Sequence, residues 1–224
     1  MKKHLLALSI TLAFTSVPGI LHAQGNLDAG KQKSASCAGC HGQDGNSQLP
    51  TYPKLAQQHA SYLIQQLKAF KEDKRKNPIM SPLAKTLSDE DITEIADFYA
   101  AQKVSVNPDP ILNADDEDEA ADDKTKKSVT VESLVAQGGN LYRNGDIQRA
   151  VSACIACHGP FGEGNKPADF PALKSQHADY LIKALKDFKS GERSNNPENM
   201  MHMIAQKMTE EEIKAVAYRI STMK

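Results

Sequence analysis

The chain has 224 residues, a quarter of them charged, with a formal net charge of −1 and no tryptophan. That length holds two small domains, and the near-neutral balance excludes a protein that grips nucleic acid through a basic surface. Only the N-terminal stretch is apolar enough to concern a membrane.

That stretch reads as an export signal over residues 1–23. Met1-Lys2-Lys3 supplies the positive end, Leu5 to Ile20 the apolar core, and Leu21-His22-Ala23 a cleavage site, although Leu21 stands where a small residue is commoner. The apolar run is short for a spanning helix, so cleavage after Ala23 is preferred to an uncleaved anchor. The mature chain is expected to be soluble and periplasmic.

A first lobe follows over 24–104, opening on Cys37-Ala38-Gly39-Cys40-His41. The spacing C-x-x-C-H is the attachment signature of c-type haem. Two thiols one helical turn apart add across the two vinyl groups of a porphyrin, and the adjacent histidine reaches the iron. Other readings of such a tract fit less well. Zinc needs four converging ligands and the tract offers three. A disulfide at this spacing makes a strained, redox-active loop rather than a staple. A thioredoxin-like motif needs a βαβ pattern, and strand signals are almost absent. Beyond the motif, Ala60, Leu63, Ile64, Leu67 and Phe70 recur at helical spacing. Ser88-Asp89-Glu90-Asp91 then starts a last helix with Ile92, Ile95, Ala96 and Tyr99 on one face.

Residues 105–128 differ in character. Asn107-Pro108-Asp109-Pro110 breaks regular structure, and Asp115-Asp116-Glu117-Asp118-Glu119 repels itself. An extended, solvated tether spanning on the order of 25–30 Å is the preferred reading. An acidic docking surface for a basic partner is the alternative.

The second lobe, 129–224, repeats the first. Its Cys154-Ile155-Ala156-Cys157-His158 uses the remaining two cysteines. Pro171-Ala172-Leu173 matches Pro53-Lys54-Leu55, and Gln176-His177-Ala178-Asp179-Tyr180-Leu181-Ile182 matches Gln58-His59-Ala60-Ser61-Tyr62-Leu63-Ile64. The same offset carries Leu67, Phe70 and Arg75 onto Leu185, Phe188 and Arg193. Thr209-Glu210-Glu211-Glu212 opens the last helix, with Ile213, Val216, Ala217 and Ile220 on its face. Such small all-helical units have little core of their own, so a chain without its porphyrins is expected to fold poorly.

A saturated iron needs a sixth ligand, and methionine sulfur both excludes small ligands and raises the reduction potential. Aligning the terminal capping boxes pairs Met80 with Met201, while Met200, His202 and Met203 remain rivals to Met201. Met203 and Met208 are spaced as a packed helical face. His59 and His177 start equivalent helices; capping or packing roles are preferred to bis-histidine ligation. Tyr62, Tyr180, Arg75 and Arg193 are candidate partners for haem propionates, with surface roles for the arginines equally open. The glycine-rich tracts at 42–45 and 159–164 read as turns beside the porphyrin.

The paired C-x-x-C-H motifs, the paired Gln-His-x-x-Tyr-Leu helices and the paired late methionines resemble the dihaem cytochrome c4 family over nearly the whole mature chain. The resemblance implies an all-α protein of two tandem class I cytochrome c-like domains, each wrapped around one covalent haem c and joined by the acidic linker. It implies that Cys37, Cys40, His41 and Met80 serve one haem, and Cys154, Cys157, His158 and Met201 the other. It implies a soluble or loosely membrane-associated carrier passing electrons from a quinol-linked donor such as the bc1 complex to a terminal oxidase, with no small-molecule substrate. An electron-transfer subunit of a periplasmic dehydrogenase, as in flavin-linked sulfide oxidation, is the alternative, and a dihaem peroxidase is a third. The linker looks longer than the family's usual connection, and the second lobe has extra residues between Arg193 and Met201.

Overall fold

The computed structural model describes residues 21–112 and 130–224, with side chains from Leu27 onward. The export-signal residues 1–20 and the acidic run at 115–119 lie outside the described residues.

The first lobe contains α1 (Leu21–Lys33), α2 (Ala38–His41), α3 (Ala60–Lys71), α4 (Met80–Lys85) and α5 (Asp89–Ala100). The second contains α6 (Val131–Asn144), α7 (Ile155–His158), α8 (Ala178–Ser190), α9 (Met200–Ala205) and α10 (Glu210–Ser221). Among the described residues the extended pairings are two isolated bridges, Asp146 with Val151 and Asn165 with Phe170. The fold is all-α.

The last helices start where the sequence says. Ser88 accepts the Asp91 N–H while the Asp91 carboxylate accepts the Ser88 N–H, and Thr209 with Glu212 does the same. Their apolar faces are buried: Ile92, Ile95, Ala96 and Tyr99 in one lobe, Ile213, Val216, Ala217 and Ile220 in the other. In α3, Leu63 and Phe70 are buried; in α8, Leu181 and Phe188. The expected Met203–Met208 face is half right. Met208 is buried, but Met203 is 46% exposed, because the helix containing it ends at Ala205 and the periodicity does not run on.

Helix α1 carries no strong apolar stripe, whereas α6 buries Leu134, Leu141 and Tyr142, and each crosses the last helix of its lobe. Glycine explains the crossing. A Cβ on Gly30 would lie 2.1 Å from the Glu94 carbonyl oxygen, and one on Gly138 only 1.9 Å from that of Ala215. Backbone meets backbone there, and in α1 that close approach stands in for an apolar face.

The two lobes pack through a self-complementary boundary. The Gln58 amide donates to the Ala172 carbonyl at 2.8 Å and accepts the Ala172 N–H at 2.9 Å. Gln176 does the same to Lys54, at 3.0 and 2.8 Å. Under the repeat, Gln58 corresponds to Gln176 and Lys54 to Ala172, so each clamp is the counterpart of the other. A tandem duplicate has thereby built the contact of a two-fold dimer within one chain.

The described start of the connection is extended and largely exposed, yet it is tied to the second lobe. Asn107 Nδ2 donates to the carbonyls of Ser175, Gln176 and Ser221, and the Tyr218 hydroxyl donates to Ile111. Leu112 packs beside Leu134, Ala215 and Tyr218. Pro108 and Pro110 hold the chain extended, which leaves its carbonyls and the Asn107 amide free to bond the second lobe.

Candidate haem sites

Each C-x-x-C-H tract forms a single helical turn. The His41 N–H bonds the Cys37 carbonyl at 3.0 Å, and the His158 N–H bonds that of Cys154 at 2.9 Å. The turn therefore sets the two cysteines of each motif about one helical turn apart, with the histidine next to the second. All four cysteines are unpaired and half-buried. Burial pushes the Cys37 thiol up, and that of Cys154 up to about 11, the opposite of the activated thiolate in a redox-exchange motif. Among the described residues no three His, Cys, Asp or Glu side chains converge as a metal cluster would need, so the zinc reading has no support in the geometry.

Both histidines are buried, and their Nδ1 atoms are fixed alike. His41 Nδ1 donates to the Pro53 carbonyl at 2.9 Å, and His158 Nδ1 to the Pro171 carbonyl at 3.0 Å. A carbonyl only accepts, so the proton resides on Nδ1 and Nε2 keeps its lone pair for a metal. Burial holds both imidazoles below their ordinary pKa and thus neutral. The repeated Pro53 and Pro171 matter for that carbonyl, a role the sequence reading missed. These features fit a covalently attached haem: paired open thiols, and a neutral imidazole with its outer nitrogen available.

The methionines are placed equivalently. The Met80 N–H bonds Asn77 Oδ1 at 2.9 Å, and the Met201 N–H bonds Asn196 Oδ1 at 3.0 Å. Met80 is the first residue of α4 rather than part of an irregular loop, and Met201 the second residue of α9; both are half-buried. Of the rivals, Met203 faces solvent, His202 uses Nδ1 on the Phe188 carbonyl, and Met200 is half-buried. The glycine tracts are turns, with Gly42 and Gly159 at φ of 83° and 77°.

His59 and His177 occupy N-cap positions but make no capping bond. His177 Nε2 instead donates to Ser47 of the other lobe at 2.9 Å, which occupies the nitrogen that bis-histidine ligation would require. The arginines are not surface groups. Arg75 donates to the Tyr180 hydroxyl, Arg193 to the Tyr62 hydroxyl, and both to Gln66. Burial opposes ionisation of Tyr180, but the two guanidinium charges outweigh it and bring the phenol down to about 8. The missed signal was repetition itself: polar residues duplicated at 58/176, 62/180 and 75/193 off the core faces mark a self-complementary contact.

The cytochrome c family profile matches residues 27–103 and 135–224. A cytochrome c4 of Pseudomonas aeruginosa is 40% identical over 219 residues, covering 97% of this chain and 96% of that one. A thiosulfate dehydrogenase electron acceptor of Thiomonas intermedia is 35% identical over 190 residues, covering 84% and 79%. The crystal structure of reduced recombinant cytochrome c4 from Pseudomonas stutzeri superposes with a TM-score of 0.77 at 34% identity, covering 88% of this chain and 98% of that one.

Proposed function

The chain belongs to the cytochrome c family, among the cytochrome c4 proteins, and from that premise we propose that it is a periplasmic carrier of single electrons holding two haem c groups. In this reading Cys37 and Cys40 tether one haem and His41 and Met80 face its iron; Cys154, Cys157, His158 and Met201 do so for the other. The bound groups supply a one-electron ferrous/ferric couple. The chain's part is positional. Pro53 and Pro171 lock the histidine tautomers, Asn77 and Asn196 pin the methionine backbones, and the glutamine clamps fix one lobe against the other.

The observation that carries the reading is the duplicated histidine geometry, with Nδ1 bonded to an equivalent proline carbonyl in each lobe. A quinol-linked complex such as bc1 is the proposed donor and a terminal oxidase the acceptor, with no small-molecule substrate and at most peripheral membrane contact. Among the described residues no helix is long and apolar enough to cross a membrane. A second reading, electron acceptor of a periplasmic dehydrogenase, is favoured by the likeness to the Thiomonas protein. A purified holoprotein reduced directly by a thiosulfate-oxidising enzyme would select it. A peroxidase has less support, since each lobe presents a methionine.

Carbon monoxide tests the carrier reading. The reduced holoprotein is expected to show no spectral change on addition of the gas. Met80→Ala and Met201→Ala should each open one haem to it, and Met203→Ala neither. Carbon monoxide binding to the unsubstituted protein would refute two saturated irons.

A further inference from the structure

The loop that carries each methionine is fastened at both ends, and by the same contacts in the two lobes. At the entry, the Arg75 N–H bonds the Ala69 carbonyl and the Arg193 N–H that of Asp187, both at 2.9 Å. At the exit, Lys71 Nζ donates to the Leu87 carbonyl at 2.7 Å, and Lys189 Nζ to the Met208 carbonyl at 2.8 Å. Lys71 is the last residue of α3, and Lys189 lies in the last turn of α8. Leu87 and Met208 immediately precede Ser88 and Thr209, the capping residues of α5 and α10. Each ammonium therefore closes the chain around the short helix with the methionine, α4 with Met80 or α9 with Met201.

The exit contact does not follow from register. Lys189 trails Lys71 by 118 positions, but Met208 trails Leu87 by 121, because the second lobe's extra residues fall between Arg193 and Met201. A contact kept across an insertion, at nearly the same length, is set by the tertiary arrangement rather than copied with the local sequence. The same ammonium groups also meet Asp89 at 3.3 Å and Glu210 at 2.9 Å. Lys68 and Lys186 approach those carboxylates too, at 3.7 and 3.0 Å. Both carboxylates are exposed, so these ion pairs contribute little. The bond to the carbonyl is the part that reaches the methionine loop, and only Lys71 and Lys189 make it.

We propose that Lys71 and Lys189 are positioning residues for the sixth ligands, each holding its loop shut so that Met80 and Met201 stay against the iron. The proposal rests on the reading of both haems as ligated by histidine and methionine. A ligand from outside reaches the iron only while the methionine loop is open. Its apparent affinity is therefore the affinity of the bare site scaled by the open fraction. Loss of the lysine bond raises that fraction in its own lobe and leaves the other lobe as it was.

Imidazole titration of the ferric holoprotein tests this, with haem counted per chain. Met80→Ala and Met201→Ala, each with one iron already open, assign the two binding steps to their haems. Lys71→Leu has no donor and is expected to raise the imidazole affinity of the first lobe's haem by roughly threefold to tenfold, the loss of one hydrogen bond. The second lobe's haem should not change. Lys189→Leu should do the reverse. Lys68→Leu removes the pairing with Asp89, leaves the bond to Leu87, and should change neither. Unchanged affinities in both Lys71→Leu and Lys189→Leu would overturn the proposal. So would an equal rise in Lys68→Leu, or a rise at both haems in each variant, which is general loosening. If Lys71→Leu fails to retain haem, Lys71→Gln, uncharged and shorter, takes its place, and an unchanged affinity there overturns the proposal alone. An unsubstituted protein that binds imidazole as tightly as the methionine variants would refute methionine ligation, and the lysine roles with it.

Discussion

Two neighbouring glycines in α6 should respond oppositely to the same substitution. A Cβ on Gly138 would lie 1.9 Å from the Ala215 carbonyl oxygen, 2.3 Å from its carbon and 2.8 Å from the Val216 nitrogen. All three are backbone atoms of α10, so no side chain can swing aside. Restoring ordinary contact at 3.4 Å requires α6 and α10 to separate by roughly 1.5 Å, along a crossing that buries Leu134, Tyr218 and Val216. Overpacking of this kind costs about 1–3 kcal/mol, after which the gain in helix propensity of up to about 1 kcal/mol offsets only part. On Gly139 a Cβ would meet nothing nearer than Arg143 Nη1 at 3.4 Å and the Arg219 side chain at 3.6 Å. There the propensity term stands alone. Urea unfolding of the holoprotein, followed by far-ultraviolet circular dichroism, should show Gly138→Ala with a lowered midpoint and Gly139→Ala with one equal to or above the parent's. A Gly138→Ala midpoint at or above that of Gly139→Ala would refute backbone contact as the reason for the crossing.

Replacing both Gln58 and Gln176 by alanine removes the reciprocal clamps, about 0.5–1.5 kcal/mol for each bond lost; small-angle scattering should then report a larger radius of gyration, and an unchanged radius would show that the clamps do not hold the lobes together. Hydrogen bonding from Arg149 holds the carboxyls of Glu212 and Asp146 below their ordinary range. Depressed carboxyl pKa values stabilise above the unfolded value, near pH 4–4.5, and that stability is lost as pH falls through the folded values. Arg149→Gln should therefore be less stable than the parent at pH 7, with the gap closing below about pH 4 in thermal melts at each pH; a gap that widens in acid would contradict the sign.

How much was legible in the sequence depends on what kind of signal each feature leaves. The cysteine–histidine tracts, the capping boxes at Ser88 and Thr209 and the apolar faces of α3, α5, α8 and α10 are local, and local rules located them. Helix α1 escaped because its packing depends on the absence of a side chain at Gly30, which no apolar period records. The roles of Pro53 and Pro171 escaped because the functional atom is a backbone carbonyl, present at every position. Met203 was misjudged because helical spacing was extended past the end of α9. The bonds of Asn107 and Ile111 to the second lobe were not foreseen, because polar, proline-broken sequence looks the same whether water or a second lobe receives its hydrogen bonds.

The sequence by itself determined the chemistry and its duplication: two C-x-x-C-H tracts, two late methionines, two copies of one helical unit. These follow from spacing along the chain, where bond geometry and helical period act over a few residues. Only the tertiary structure decided what the repeated polar residues are for. Gln58, Tyr62 and Arg75 find their partners more than a hundred positions away, and the choice between solvent and the other lobe depends on shape and charge after folding. Arg75 and Arg193 reach the tyrosines of the opposite lobe only once that boundary has formed.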